Sequence, residues 1–326
     1  MDIPHYTKKI FEIKTEDEFN NLSLRLFNYQ YRNNSIYKKY IDLNNINIAN
    51  ITHYLEIPFL PIELFRTHKI ILDNKKIDTF FMSSGTTNHE KSRHYISDIS
   101  IYKESILKSF KLFVGKPKDF VFFCLVPDFL NHPNASLSFM CNELIEISGD
   151  SASGFYLRKD RDLSFQIKEC QNNNKKFIVL GLSFEILSFA ENNNINLSGG
   201  YVIQTGGTKK NDQHMIQEDL HNKLKNLFKI EEIYSEYGMA ELLSQSYHRD
   251  NCFESPPWKK IIIRDKTNPF KVLKDKKRGC INIIDLANIN SCSFIATNDF
   301  GYLTSSGFNI LGRSQNASER GCNLMI

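Results

Sequence analysis

The sequence predicts an α/β protein with largely parallel strands flanked by helices, and two recurring patterns carry this prediction. Continuous apolar runs such as DFVFFCLVP, KFIVLGL and YVIQTGG are typical of strands buried on both faces. Amphipathic segments such as SFEILSFAENN separate these runs and predict helices. Because strands and helices alternate, parallel strands joined by right-handed crossovers are expected.

The other elements follow in chain order. Thr15 and Glu18 have the spacing of a capping box, which predicts a helix whose apolar face begins at Phe19. Further amphipathic helices are expected at about residues 99–113, 137–145 and 216–227. From about residue 252, short strands with polar turns predict an antiparallel or barrel-like part.

Composition and charge exclude several classes of protein. The net charge of +4 comes from 41 basic and 37 acidic side chains, a balance that does not favour a nucleic-acid or membrane surface. No stretch approaches the ~20 apolar residues of a membrane span, and the N-terminus lacks a signal-peptide core. We therefore expect a cytoplasmic protein. Seven scattered cysteines without C-x-x-C spacing predict reduced thiols, mostly in the core.

A hydroxyl-rich segment, FFMSSGTTNHEKSR, follows the first strand-like run. Its polar positions are Ser83, Ser84, Gly85, Thr86 and Thr87. They are compatible with an ordinary surface turn. Alternatively, backbone N–H groups at a glycine turn can bind phosphate together with the hydroxyls, while Lys91 or Arg93 supplies positive charge. The segment does not have the G-x-x-x-x-G-K-[ST] spacing of a Walker loop.

Two later segments offer matching chemistry. In YSEYGMAELLSQ, Tyr237 beside Gly238 could stack on a purine, and Glu241 could hold Mg²⁺ near phosphates. The alternative interpretation places Glu241 in the first turn of a helix. In TNDFGYLTSSGFNILGR, Asp299 could accept hydrogen bonds from ribose hydroxyls, with Arg313 nearby, unless it is simply the aspartate of a tight turn.

Together these segments resemble the adenylate-forming (acyl-CoA synthetase) superfamily, and most closely its LuxE acyl-protein synthetase branch near the phenylacetate-CoA ligases. The resemblance covers nearly the whole chain, through IPFLPIELFRTHKI, SSGTTNHEKSR, YVIQTGGTKK, EYGMAELLSQ and ATNDFGYL…ILGRSQNASERGC. Two positions depart from the pattern. Asn88 replaces a second loop glycine, and Ala240 replaces a frequent threonine.

The resemblance implies a role for each matched residue toward ATP and Mg²⁺. The phosphate loop at Ser83, Ser84, Gly85, Thr86 and Thr87 would hold the β and γ phosphates, assisted by Lys91. Gly206 and Gly207 would form a wall near the adenine and the acyl group, and Tyr237 beside Gly238 would stack on the adenine. Glu241 would coordinate Mg²⁺, Asp299 would bind the ribose, and Arg313 would lie at its edge.

The end of the chain departs from that superfamily. Only residues 314–326 follow Arg313, so the resemblance implies that the mobile C-terminal domain, with its lysine, is truncated. The predicted organisation is one large AMP-binding domain at 1–313, with a β-rich subdomain at 252–313, and a short tail at 314–326. Cys322 lies beside Arg320 in this tail, and it is either an acyl acceptor or an ordinary terminal thiol.

The predicted function has two steps: ATP-dependent activation of a carboxylic acid to acyl-AMP, and transfer of the acyl group to a protein thiol. The resemblance implies that the acid is a fatty acid. An acyl carrier protein or a reductase is the partner that the resemblance implies. One alternative is an acyltransferase or ligase of a surface-polysaccharide or lipid biosynthetic cluster that uses another acceptor. Another is a non-catalytic nucleotide-binding scaffold subunit.

Overall fold

A computed structural model describes residues 2–83, 91–206, 209–210, 213–214, 217–249, 251–273 and 277–313. The helices are α1 (Ile3–Ile10), α2 (Glu16–Asn33), α3 (Ser35–Leu43), α4 (Leu64–Thr67), α5 (Ile99–Phe113), α6 (Ser136–Ser148), α7 (Asp160–Asn172), α8 (Ser183–Asn192) and α9 (Gln217–Phe228). Short 3₁₀ turns span Ile48–Asn50, Tyr54–Glu56 and Pro117–Asp119.

The strands follow the same chain order. They are β1 (Leu60–Pro61), β2 (Thr79–Met82), β3 (Arg93–Ile96), β4 (Val121–Leu125), β5 (Gly154–Phe155), β6 (Phe177–Leu182), β7 (Gly200–Thr205), β8 (Lys209–Lys210), β9 (Gln213–His214), β10 (Ile233–Tyr237), β11 (Ser246–Arg249), β12 (Cys252–Glu254), β13 (Lys259–Arg264), β14 (Gly279–Asp285), β15 (Phe294–Leu303) and β16 (Phe308–Arg313). The predicted α/β class is confirmed by this order.

The chain divides into two compact units. The first holds residues up to 105, residues 240–244 and residues from 251 onward, and the second holds residues 106–239 and 245–250. The predicted division into a domain at 1–313 and a tail at 314–326 stays a prediction.

The first unit contains an antiparallel sheet ordered β13-β14-β15-β16-β12, with β1 added in parallel to β15. The predicted change to antiparallel strands from about residue 252 is therefore confirmed. A bulge shifts the β15–β16 register between Phe300 and Gly301. Glycine is required there, because a Cβ at Gly301 would lie 2.2 Å from the carbonyl oxygen of Asn309.

Helix α2 packs in the first unit as its sequence predicts. The Thr15 side chain accepts from the Glu18 N–H, and the Glu18 side chain accepts from the Thr15 N–H, so the capping box is confirmed. Phe19, Leu22 and Leu26 on its apolar face are buried. Burying each of these side chains contributes about 2 kcal/mol to the free energy of unfolding.

The second unit is a doubly wound sheet ordered β11-β10-β7-β6-β4-β5. All neighbours are parallel except the edge strand β11, which is antiparallel to β10. Helices α7, α8 and α9 pack their apolar side chains on one face of this sheet. Every residue of β4 is buried, as the continuous apolar run predicts.

The strand order of the second unit creates a switch point. Strand β4 connects to β5 on one side, and the chain then returns to β6 on the other side of β4. A cavity of about 1030 Å³ lies at the carboxyl ends of these strands, lined by Leu125, Arg158 and Phe184 among others. Ligands commonly bind at such a point in open α/β sheets. None of the residues singled out from the sequence motifs lines this cavity.

Candidate functional site

The candidate phosphate loop connects β2 and β3, two strands of the first unit that form a short hairpin. Strands β2 and β3 pair antiparallel, and the Ser83 N–H donates to the Ser92 carbonyl at 3.2 Å. The Ser92 N–H donates back to Ser83 Oγ at 3.2 Å. Ser83 is thus held at the end of the hairpin from which the candidate loop departs. Four other predicted positions of the loop, Ser84, Gly85, Thr86 and Thr87, lie outside the described residues.

The alternation of β3 gives the hairpin two chemically different faces. Ser92 and His94 are buried, whereas Lys91 and Arg93 are exposed. Lys91 and Arg93 line a basic cavity of about 230 Å³ together with Arg66. The buried face carries the contact that matters for the site, because Ser92 Oγ donates a hydrogen bond to Glu241 Oε1.

Glu241 lies in a turn, so the alternative that placed it in the first turn of a helix is wrong. Residues 238–244 contain no helix, because β10 ends at Tyr237 and the chain turns toward β11. The Glu241 carbonyl accepts from Asn288 Nδ2 at 2.8 Å. Glu241 is only 5% exposed, and burial raises the pKa of its carboxyl group, while the hydrogen bond from Ser92 acts in the opposite direction.

Asp299 and Arg313 meet across the β15–β16 pair. They are directly opposite in register, and Arg313 Nε donates to Asp299 Oδ1 at 3.1 Å. The Asp299 side chain is buried and the Arg313 side chain is mostly exposed. Both charges act on the pKa of Glu241, which Arg313 lowers and Asp299 raises. The structure therefore groups Ser92, Glu241, Asp299 and Arg313, here called the Glu241 cluster.

The remaining predicted contacts to adenine lie in the second unit, at the ends of two neighbouring parallel strands. Gly206 follows β7 with φ +85°, a conformation that favours glycine. Tyr237 is the last residue of β10 and is buried. A Cβ at Gly238 would lie 2.5 Å from Glu236 Oε1, so a larger residue there would displace that carboxylate. Gly207 lies outside the described residues.

The predicted acyl acceptor is also outside this part of the chain. Cys322 belongs to residues 314–326, which the structure does not describe. The six cysteines that are described are free and buried, which confirms the prediction of core thiols for them.

The Glu241 cluster is compatible with a magnesium–nucleotide site. Mg²⁺ in nucleotide enzymes is commonly held by one or two carboxylates together with substrate phosphates. Within the described ranges, no group of three or more His, Cys, Asp and Glu side chains could form a metal cage of protein ligands alone. A carboxylate such as the buried one of Glu241 is the kind of hard oxygen donor that Mg²⁺ prefers.

His94 is a buried member of this region that the sequence did not reveal. Its Nδ1 lies 3.0 Å from the Ala240 carbonyl oxygen, and its Nε2 lies 2.7 Å from Ser291 Oγ. The ring thus contacts the residue that precedes Glu241. Burial lowers the pKa of His94 to about 4, so the imidazole is neutral at pH 7.

The lowered pKa predicts a pH-dependent stability. The unfolded state takes up a proton near pH 6.5, and folded His94 does so only near pH 4. The free energy of unfolding should therefore fall as the pH drops from 6.5 to 4, by up to about 3 kcal/mol from this residue. In His94→Gln, urea unfolding at pH 7, 5.5 and 4.5 should show a shallower loss.

A second histidine, in the second unit, allows an independent test of the same effect. Burial also lowers the pKa of His221 to about 4, so His221→Gln should also make the loss of stability at low pH shallower, independently of His94. A His94→Gln variant with the same pH profile as the wild type would show that His94 does not remain neutral in the folded protein.

Comparisons with solved structures define the class of the fold, which is that of the adenylate-forming enzymes. The 2-hydroxyisobutyryl-CoA ligase in the postadenylation state with 2-HIB-AMP matches with a TM-score of 0.69 at 11% identity, over 91% of this chain and 67% of that one. ATP-bound MatB from Rhodopseudomonas palustris matches with a TM-score of 0.55 at 11% identity, over 73% of this chain and 48% of that one. The matched part is about half the length of MatB.

The sequence profile of the acyl-protein synthetase LuxE matches residues 9–326, and the chain belongs to that family. The predicted resemblance is thereby confirmed. McyG A-PCP with phenylalanyl-adenylate is a further structural match, with a TM-score of 0.53 at 15% identity over 75% of this chain and 42% of that one. A search of curated proteins found no match. No helix among the described residues is long and apolar enough to cross a membrane.

Proposed function

We propose that this protein activates a carboxylic acid, with a fatty acid as the expected substrate, and passes the acyl group to a protein thiol. Membership in the acyl-protein synthetase family supports this proposal. The observation that carries it is the Glu241 cluster, because segments far apart in the chain bring Ser92, Glu241 and Asp299 together.

The first step forms an acyl-adenylate. The substrate carboxylate, ionised at pH 7, attacks the α-phosphorus of ATP. A new oxygen–phosphorus bond forms, the bond to the bridging oxygen of the β-phosphate breaks, and pyrophosphate leaves. Because the nucleophile needs no deprotonation, the step depends on positioning and on neutralising spread negative charge. Bound Mg²⁺ would supply much of that neutralisation.

Each residue of the cluster has a role in this proposal. Glu241 would hold the metal, while Ser92 fixes its carboxylate by donating to Oε1. Asp299 would accept from the ribose hydroxyls, and Arg313 holds the Asp299 carboxylate in place. The family resemblance assigns Gly206 and Tyr237 of the second unit to the adenine. Lys91 and the loop that begins at Ser83 would contact the outer phosphates.

The second step is transfer to a thiol. A thiolate attacks the acyl carbonyl carbon, a thioester forms and AMP leaves with the electron pair of the broken bond. Cys322 is the proposed acceptor within this chain, and a thiol of a carrier or reductase partner is the alternative acceptor.

Acid-dependent exchange of labelled pyrophosphate into ATP tests the first step. We expect exchange with at least one member of a panel of fatty and aryl acids. Absence of exchange across the panel would reject adenylation and favour a nucleotide-binding scaffold.

Replacement of the proposed acceptor tests the second step. We expect Cys322→Ser to keep pyrophosphate exchange within about twofold and to lose hydroxylamine-sensitive acyl labelling of the protein, because only the thiol that accepts the acyl group is removed. Cys252→Ser is the control, since Cys252 Sγ already lies 3.3 Å from Ser306 Oγ, and it should still be labelled. Unchanged labelling of Cys322→Ser would show that another thiol accepts the acyl group.

A further inference from the structure

A buried carboxylate lies beneath the turn that carries Glu241. Asp285 ends β14 and is fully buried. Its Oδ2 accepts from the backbone N–H groups of Leu243 at 3.0 Å and Ser244 at 2.9 Å. Its Oδ1 accepts from Ser244 Oγ at 2.6 Å and from the Ala287 N–H at 3.1 Å. One side chain therefore satisfies four donors, three of them in the turn.

This arrangement is costly if its purpose is stability alone. Burial raises the pKa of Asp285, and the nearby charge of Lys259 lowers it. Lys259 is itself buried, and its Nζ donates to the Ser244 carbonyl at 3.0 Å. Apolar side chains often replace buried charged groups without loss of stability, so burial of Asp285 and Lys259 together points to a demand for a particular turn geometry.

The hydrogen bonds to the turn surround Glu241 on both sides. His94 contacts the carbonyl of Ala240, the residue before Glu241, and Asn288 donates to the carbonyl of Glu241 itself. Asp285 then fixes the N–H groups two and three residues later. Glu241 is thus part of a turn whose backbone is held before, at and after the functional residue.

We propose that Asp285 is a positioning residue, which fixes the turn so that the Glu241 carboxylate is already in place for a magnesium–nucleotide ligand. This inference rests on the proposed function. Asp285 does not touch the ligand in this proposal, because its four acceptor contacts all go to the protein. Groups that orient a metal ligand commonly change metal affinity by about 10- to 100-fold when they are replaced.

Asp285→Asn is the principal test. The amide keeps one acceptor oxygen and replaces the other with a donor, so two of the four hydrogen bonds to this side chain are lost. Two quantities are measured against Mg²⁺ concentration at fixed ATP, namely the rise in unfolding temperature and the rate of pyrophosphate exchange. We expect both half-maximal Mg²⁺ concentrations to rise by about tenfold, with exchange recovering at high Mg²⁺.

A control variant separates positioning from general destabilisation. Tyr37→Phe removes another buried hydrogen bond of the same unit, in which Tyr37 Oη donates to the Pro58 carbonyl at 2.6 Å. We expect it to lower the unfolding temperature without changing the half-maximal Mg²⁺ concentrations. If Asp285→Asn does not fold, Ser244→Ala removes the hydroxyl that donates to Asp285 and accepts from Trp258 Nε1, while both backbone contacts to Asp285 stay. It should raise both concentrations by several-fold. Wild-type Mg²⁺ dependence in the folded variants, or an equal shift in Tyr37→Phe, would overturn the inference.

The two readouts also distinguish this inference from the proposed function. A wild-type protein that is stabilised by Mg²⁺ with ATP but shows no exchange would lack the proposed activity, and the thermal readout would still decide the role of Asp285. A wild-type protein whose stabilisation by ATP does not depend on Mg²⁺ would overturn the positioning role.

Discussion

Glu241→Gln is expected to reduce pyrophosphate exchange by about 100-fold or more at saturating ATP. The amide has nearly the same shape, so the hydrogen bond from Ser92 Oγ can persist at the remaining carbonyl oxygen. The negative charge is lost, however, and with it the attraction that would hold Mg²⁺ beside the phosphates. The measurement is exchange at increasing Mg²⁺, which should not restore the rate.

Two comparisons make this prediction decisive. Glu56→Gln is the matched substitution, because Glu56 is an exposed carboxylate of the same unit that caps a 3₁₀ turn, and we expect nearly wild-type exchange. Asp285→Asn should recover at high Mg²⁺ while Glu241→Gln should not, since only the latter removes the proposed ligand. A Glu241→Gln protein with more than about a tenth of wild-type exchange would exclude Glu241 as the principal metal ligand.

Asp299→Asn is expected to raise the KM for ATP by about tenfold and to change kcat much less. Asn keeps an oxygen that can accept from Arg313 Nε, but it loses the charge and one acceptor position for the ribose hydroxyls. Since the ribose is remote from the bond that breaks, its loss should weaken ground-state and transition-state binding alike. Asp299→Ala, which has no acceptor, should show a larger rise in KM.

The control for this prediction is Asp42→Asn. Asp42 forms an exposed ion pair with Lys38 on α3, a kind of pair that contributes little to stability. Its substitution should leave the KM for ATP unchanged. A kcat that falls by more than KM rises in Asp299→Asn would instead place Asp299 at the reacting centre.

The sequence indicates the residues proposed to contact the ligand better than it indicates the residues that position them. Glu241 and Asp299 stand in recognisable motifs, so each could be named from its neighbours in the chain. Ser92 and His94 could not be named in this way, because their role depends on the register of a hairpin whose two strands have only four residues each. A shift of one residue would expose both side chains. His94 also reaches Ala240 and Ser291, contacts between residues far apart in the chain.

The turn after β10 shows why local patterns left Glu241 undecided. Apolar residues follow it at Leu242 and Leu243, as they would in a helix. In the folded chain, however, the N–H groups of Leu243 and Ser244 donate to the Asp285 carboxylate instead of to helical carbonyls. That acceptor lies 42 and 41 residues away in sequence, so no local propensity could indicate it.

The pairing of Asp299 with Arg313 places a constraint on a part of the chain that carries no charge of its own. Their side chains lie directly opposite each other because the register of β15 and β16 shifts at the bulge between Phe300 and Gly301. Removing one residue from the connection at 304–307 would move the arginine to the reverse side of the sheet. Among descendants of this protein, that connection should tolerate changes of composition but resist changes of length by an odd number.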